Sequence, residues 1–176
     1  MRQAGRHAGK IGPLEGFSAG DVTRQASARV TVATPGPGFT DITEAVAAFV
    51  AESGLRTGLV SVFCRHTSAS LTIQENADPD VRADLMTALD GFAPRHGQYV
   101  HGMEGPDGLH KQVRYTHSAE GPDDMPAHIR TMLTDSSLSV PVVEGRLTLG
   151  TWQGIYLIEH RDRPHRRELV LLAIGS

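Results

Sequence analysis

Four segments of the chain gather residue types that can do chemistry. The first is Arg65-His66-Thr67-Ser68-Ala69-Ser70-Leu71-Thr72, where a histidine leads a cluster of hydroxyls directly after an apolar run. Hydroxyls and loose backbone N–H groups at a strand end can hold an oxyanion or phosphate, and His66 can serve as general base or metal ligand. The alternative is a strand-to-strand turn in which Ser and Thr satisfy the backbone. The second segment runs from His117 to His128 and holds His117, Glu120, Asp123, Asp124 and His128. That density of imidazole and carboxylate suits a divalent cation, although Asp123 or Asp124 could equally cap a helix. The spacing is not that of H-E-x-x-H.

The third segment, Gly150-Thr151-Trp152-Gln153-Gly154, sets the only tryptophan between two glycines. Glycine within a strand can mark a close approach of backbone or ligand. Trp152 is suited to pack a core or to stack on a flat ring, and Gln153 offers a donor and an acceptor. The fourth, Glu159 to Arg167, carries four arginines, among them Arg161 and Arg167, that could hold phosphate through bidentate contacts or form a solvated hairpin tip. No Gly-rich phosphate loop occurs, which argues against those nucleotide-binding patterns. Cys64 sits inside an apolar run, so burial is expected rather than nucleophilic duty.

The elements that position these residues alternate between strand and helix. Arg29–Thr34 is β-branched and alternating, hence a strand. Ile42, Ala45, Val46, Phe49 and Val50 recur at helical spacing behind Asp41 and Glu44, which resemble a capping box, and Gly54 follows, so a helix is expected over Asp41–Ser53. Leu59–Arg65 and Leu71–Gln74 read as strands. A second helix starts at Asp78 with Pro79 in its first position and stops at Gly91. A third runs from Asp123 or Asp124 to about Leu133. Strands follow at Leu138–Val142, Arg146–Leu149, Trp152–Glu159 and Glu168–Ile174, and their short turns imply a C-terminal antiparallel β-meander. Between the second and third helices lies a long aperiodic connection holding an echo. Tyr99 to Asp107 recurs as Tyr115 to Asp123 with six of nine positions matched. Residues 1–25 are rich in Gly, Ala and basic side chains and are expected to be a disordered extension.

Composition bounds the function. The chain has 176 residues with Lys plus Arg 17 against Asp plus Glu 20, a net charge of −3. That size suits one domain with a real core. The near-neutral charge argues against general nucleic-acid binding, and no apolar run approaches the length of a membrane span. One cysteine excludes an internal disulfide or a Cys-rich zinc site, and a cytoplasmic protein is expected. Of nine histidines, only His66, His117 and His128 lie in segments whose chemistry could use them. His160 and His165 belong to the basic hairpin.

Taken together and in this order, His66-Thr-Ser-Ala-Ser-Leu71, Glu75-Asn76 with Asp78-Pro79, Glu120-Gly-Pro-Asp-Asp-Met-Pro-Ala-His128 and Gly150-Thr-Trp-Gln-Gly154 resemble the YjbQ family, also called secondary thiamine-phosphate synthases. The resemblance runs from about Ala26 to Ser176. It implies a single α+β domain over 26–176, a mostly antiparallel sheet packed with about three helices, assembling as a homotrimer. It also implies a polar pocket and an activity in which a pyrimidine diphosphate is joined to a thiazole phosphate with release of pyrophosphate. The alternative is a metal- or phosphometabolite-binding trimer without this chemistry, or a metal-dependent hydrolase. Carried onto this chain, the expected catalytic residues are His66, His128, Asp124 and Glu75. The expected phosphate- and ligand-binding residues are Thr67, Ser68, Asn76, Trp152, Gln153, Arg161 and Arg167. A divalent metal, zinc or magnesium, is expected on His66, His117, His128, Glu120 and Asp123, with no organic cofactor. Expected partners are two further copies and a small phosphorylated metabolite. The stretch around 99–114 departs from the family pattern and is expected to be an insertion.

Overall fold

The computed structural model describes residues 12–15, 17, 19–95, 99–104, 110–112 and 114–176. The elements are β1 (Arg24–Thr34), β2 (Gly38–Asp41), α1 (Thr43–Ser53), β3 (Gly58–Cys64), β4 (Ala69–Glu75), α2 (Pro79–Phe92), β5 (Tyr99–Glu104), β6 (His110–Gln112), α3 (Asp124–Leu133), β7 (Ser137–Val143), β8 (Arg146–Leu147), β9 (Gln153–Glu159) and β10 (His165–Gly175). The fold is α+β, and every paired strand is antiparallel. One sheet has the order β1-β10-β3-β7-β8 and a second the order β2-β9-β4. The expected meander is therefore confined to the β7–β8 hairpin, because β9 crosses to the second sheet and β10 returns to the first. Strand β1 starts at Arg24, so it claims the last two residues of the expected extension, most of which lies outside the described residues. The connection expected at 99–114 holds a two-stranded ribbon, β5 with β6, of irregular register.

The inner faces of both sheets share one core. Val60, Val62, Leu169, Leu171, Ala173, Val140 and Val142 meet Leu71, Ile155 and Leu157, and α1 adds Val46 and Val50. Period-two alternation places these residues inward. Strand β9 is buried along Gly154–Glu159 on both faces, as a central strand between two covered sides should be. Among the described residues nothing covers the outer face of the first sheet, which carries exposed Leu59, Phe63, Leu172 and Ile174. Helix α2 begins as its sequence dictates, since the Asp78 carboxylate accepts from the Asp80 N–H and Pro79 follows at the first position. It runs through Gly91 to Phe92. Helix α1 starts later than expected, because Asp41 accepts from the Thr43 N–H and Ile42 stands at the cap without a side-chain hydrogen bond. Gly54 closes α1 in the left-handed conformation at φ 67°. Among the described residues no helix is long and apolar enough to cross a membrane.

A polar cluster is built into this core where β9 meets β10. The Glu159 side chain is fully buried. It accepts from Arg167 Nε at 2.7 Å and Nη2 at 2.5 Å, from Thr34 Oγ1 at 2.8 Å, and from the backbone N–H groups of His160 and Arg161. Burial alone would raise the Glu159 pKa, but Arg167, the Arg161 N–H and Thr34 outweigh it and hold the carboxyl below its ordinary value. Arg167 is thus committed to a buried ion pair and is unavailable for phosphate. A buried pair of this kind is costly to break from one side. Arg167→Ala is expected to lower unfolding stability by about 3–5 kcal/mol, measured by urea denaturation at pH 7. The depressed carboxyl contributes stability above about pH 4.5, its ordinary value, and that contribution disappears as pH falls through the lower folded-state value. The pH dependence should flatten in the variant.

Candidate functional site

Helix α3 and the loop before it bring together the second of the four segments. The Asp124 carboxylate is 2% exposed. Its Oδ2 lies 2.6 Å from His117 Nε2 and 3.5 Å from His128 Nε2. His128 reaches it because residues four apart share a helix face. The two imidazoles stand edge to face with centroids 5.7 Å apart. One ligand atom from each of His117, Asp124 and His128 falls within 4.8 Å of the others, a constellation that suits one cation.

The two carboxylates expected on a metal, Asp123 and Glu120, do other work, and Asp124, expected to be catalytic, takes the place between the histidines. Asp123 Oδ2 accepts from Arg161 Nε at 2.9 Å and from the Asp162 N–H at 2.9 Å. Burial would raise the Asp123 pKa, but these donors keep it below its usual range. Glu120 uses its backbone carbonyl to accept from Arg161 Nη2 at 2.8 Å, while its carboxylate is exposed. Arg161 Nη1 holds Asp124 Oδ1. Burial would favour deprotonation of Arg161, yet the surrounding carboxylates hold its charge firmly. Arg161 is therefore spent on the carboxylates rather than on phosphate.

His66 stands outside the cation cluster. Its Nε2 accepts from the Glu168 N–H at 2.8 Å, so the ring's one proton sits on Nδ1. Burial first, and the Arg167 charge second, push its pKa below the ordinary value of 6.5. His66 and His128 nevertheless line the same open pocket of about 610 Å³, with Phe63, Arg65, Thr67 and Met132 among its walls. Arg65 is paired with Glu168, and Ser68 gives its carbonyl to Arg167 Nη2 at 3.3 Å. His66 and Thr67 thus line the pocket together with His128, one of the three candidate cation ligands.

The remaining expected residues form a separate group. Strand β4 rises about 3.3 Å per residue, which puts Glu75 about 20 Å from Ala69 along the strand. There Glu75 accepts from the Ala77 N–H, Asn76 Nδ2 donates to the Gln153 carbonyl, and Gln153 Oε1 accepts from the Gly150 N–H. Trp152 is 62% exposed, which excludes the core-packing role. Glu75, Asn76, Trp152 and Gln153 are absent from the pocket lined by His66 and His128.

Two buried residues escaped sequence reasoning. His160 is 1% exposed and Arg130 3% exposed. Thr134 Oγ1 lies 2.7 Å from both the Arg130 carbonyl and Ser70 Oγ. The carbonyl can only accept, so the Thr134 proton goes to it, the Ser70 proton goes to Thr134, and His160 Nε2, at 2.8 Å, must donate to Ser70. Burial lowers the His160 pKa to about 4, so the ring is neutral. The buried run Gly154–Glu159 simply continues into His160. For His66, the tautomer is directly testable. At pH 7, ¹⁵N NMR should show a neutral ring protonated on Nδ1, titrating below 6.5; an Nε2-protonated ring would refute the assignment.

The YjbQ family, described as UPF0047 protein YjbQ-like, matches residues 28–176. The UPF0047 protein sll1880 of Synechocystis is 46% identical over 154 residues, covering 87% of this chain and 94% of that protein. The UPF0047 protein YugU of Bacillus subtilis is 36% identical over 135 residues, covering 77% and 88%. Among solved structures, a YjbQ/UPF0047-family protein of Clostridium acetobutylicum superposes with a TM-score of 0.67 at 38% identity, covering 82% of this chain and 97% of that one. The hypothetical protein APE1520 of Aeropyrum pernix gives 0.70 at 28% identity, covering 86% and 99%. With a match over residues 28–176 and relatives this similar across most of its length, the chain belongs to the YjbQ-like UPF0047 family.

Proposed function

We propose that the protein is a metal-dependent hydrolase of small phosphorylated metabolites, with one divalent ion on His117, Asp124 and His128. The observation that carries this reading is the three ligand atoms within 4.8 Å of one another, with His128 also lining the pocket that holds His66. Two imidazoles and one carboxylate fit zinc or a similar ion better than magnesium, which takes oxygen ligands. A bound ion of this class polarises phosphoryl oxygens and lowers the pKa of water. The chain's own contribution is to orient the substrate. His66 Nδ1–H and the Thr67 hydroxyl donate to phosphate oxygens at the pocket wall, and Phe63 and Met132 offer an apolar surface for the rest of the molecule. Joining a pyrimidine diphosphate to a thiazole phosphate, the activity suggested by resemblance, asks for cations to hold the departing pyrophosphate. Arg161 and Arg167 are engaged by carboxylates, which favours the hydrolytic reading. A cytoplasmic setting is supported by the single buried free thiol of Cys64.

Three copies are proposed to assemble over the uncovered face of the first sheet. Leu59, Phe63, Leu172 and Ile174 lie exposed there, and none of the described residues covers them.

Protein purified without chelator is expected to carry one zinc-class ion per chain by elemental analysis, and to lose it in His117→Ala and Asp124→Ala. Phosphate release from a panel of small phosphomonoesters should fall at least about a hundredfold in those variants. If thiamine phosphate forms instead from its two precursors, and His66→Ala or His128→Ala abolishes it, the synthase reading replaces the hydrolytic one. Sedimentation equilibrium is expected to give a trimer, and Leu172→Glu to shift it toward monomer; a wild-type monomer would refute the assembly.

A further inference from the structure

Arg161 makes three separate contacts across the candidate ion site. Its Nε donates to Asp123 Oδ2 at 2.9 Å, its Nη2 to the Glu120 carbonyl at 2.8 Å, and its Nη1 to Asp124 Oδ1. The guanidinium plane is therefore fixed from three sides, and its side chain is only 16% exposed. Its backbone is fixed as well, because the Arg161 N–H donates to buried Glu159 Oε1 at 2.9 Å. The consequence falls on Asp124. One carboxylate oxygen is occupied by Arg161, and the other, Oδ2, faces His117 and His128.

We infer that Arg161 is a positioning residue that makes Asp124 a single-oxygen ligand and so biases the site toward zinc-class ions over oxygen-preferring ones. This rests on the ion site proposed above. A carboxylate with one oxygen tied to a guanidinium cannot offer both to a cation. Ions that seek many oxygens, such as calcium, manganese and magnesium, lose the bidentate option. Zinc keeps two imidazole nitrogens and one oxygen, the three protein ligands of an open site. Arg161 acts in two ways that variants can separate. Its charge repels every dication, and its planar fork fixes the orientation of Asp124. Arg161→Lys keeps the charge but replaces three directed contacts with one point donor. Arg161→Gln removes both.

The test is competition titration of Zn²⁺ and Mn²⁺ against a chromophoric chelator, on the full chain, in wild type, Arg161→Lys and Arg161→Gln. The ratio of zinc to manganese affinity is expected to fall about tenfold or more in both variants, the scale on which partners of metal ligands act. In Arg161→Lys the fall should come from weaker zinc binding. In Arg161→Gln part of it should come from stronger manganese binding, because the repelling charge is gone. The absorption spectrum of bound Co²⁺ should weaken in both variants as the ion gains a further oxygen. Asp123→Asn keeps Arg161 and Asp124 but weakens the second anchor, and it supplies the readout if the Arg161 variants do not fold; a smaller fall in the same direction is expected. An unchanged ratio and Co²⁺ spectrum in folded variants overturns the role of Arg161 while leaving the ion site standing. Wild-type protein that binds neither ion overturns the site itself and this inference with it.

Discussion

The carboxylate of Glu159 is the constraint on which both halves of the site depend. It lies fully buried at the end of β9 and accepts five hydrogen bonds, two from Arg167 and one each from Thr34, the His160 N–H and the Arg161 N–H. Through the Arg161 backbone it aims that guanidinium at Asp123 and Asp124. Through Arg167, which also reaches the Ser68 carbonyl, it braces the turn that carries His66. The neighbouring Glu168 N–H then fixes the His66 ring. A single desolvated charge, fully satisfied, thus sets the orientation of groups on β1, β9, β10 and the turn before β4. Such networks specify one arrangement because any partial version leaves a buried charge uncompensated.

The candidate ion ligands depend on a simpler device. Asp124 is the first residue of α3 and His128 lies one helical turn on, so helix geometry alone presents both to the same point. His117 enters from the preceding loop. The loop is held against the helix start by the Arg161 contacts to Glu120, Asp123 and Asp124. His117, Asp124 and His128 and their support therefore come from two distant stretches of chain, joined by Arg161 and the neighbouring Asp162 N–H.

Much of this was legible in the sequence where the signal is local. Asp78-Pro79 placed the start of α2, where the aspartate caps, and Pro126 in the first turn placed α3, although Asp123 stands at its N-cap without a side-chain hydrogen bond. The density of His and acid in 117–128 pointed to the cation cluster. What failed was non-local. The short connections suggested a meander, but which sheet a strand joins depends on pairing across the whole chain. Arg161 and Arg167 sit in a charge run that reads as solvated. Yet Leu169, Leu171 and Ala173 are inward, and counting back by two along β10 puts Arg167 on that same buried face. That alternation was available as a warning that one arginine of the run needed a buried partner. Nothing comparable marked His160, whose burial follows from the central place of β9. The spread of Glu75, Asn76, Trp152 and Gln153 to the far end of β4 was likewise invisible to motif order.

The placement of β10 carries a consequence for how the chain reaches this state during synthesis. Among the described residues strand β1 has β10 as its only sheet partner, and Thr34 meets His165 across 131 residues of sequence. As the ribosome extends the chain, β1 emerges early and must wait, its backbone groups unpaired, until β10 has left the exit tunnel. One edge of β3 waits with it, since β10 lies between the two, while the other edge can pair with β7. Such late closure by long-range pairing is slow and leaves strand edges open to other chains. The edge of β1 is thus open to aggregation until β10 is released to cover it.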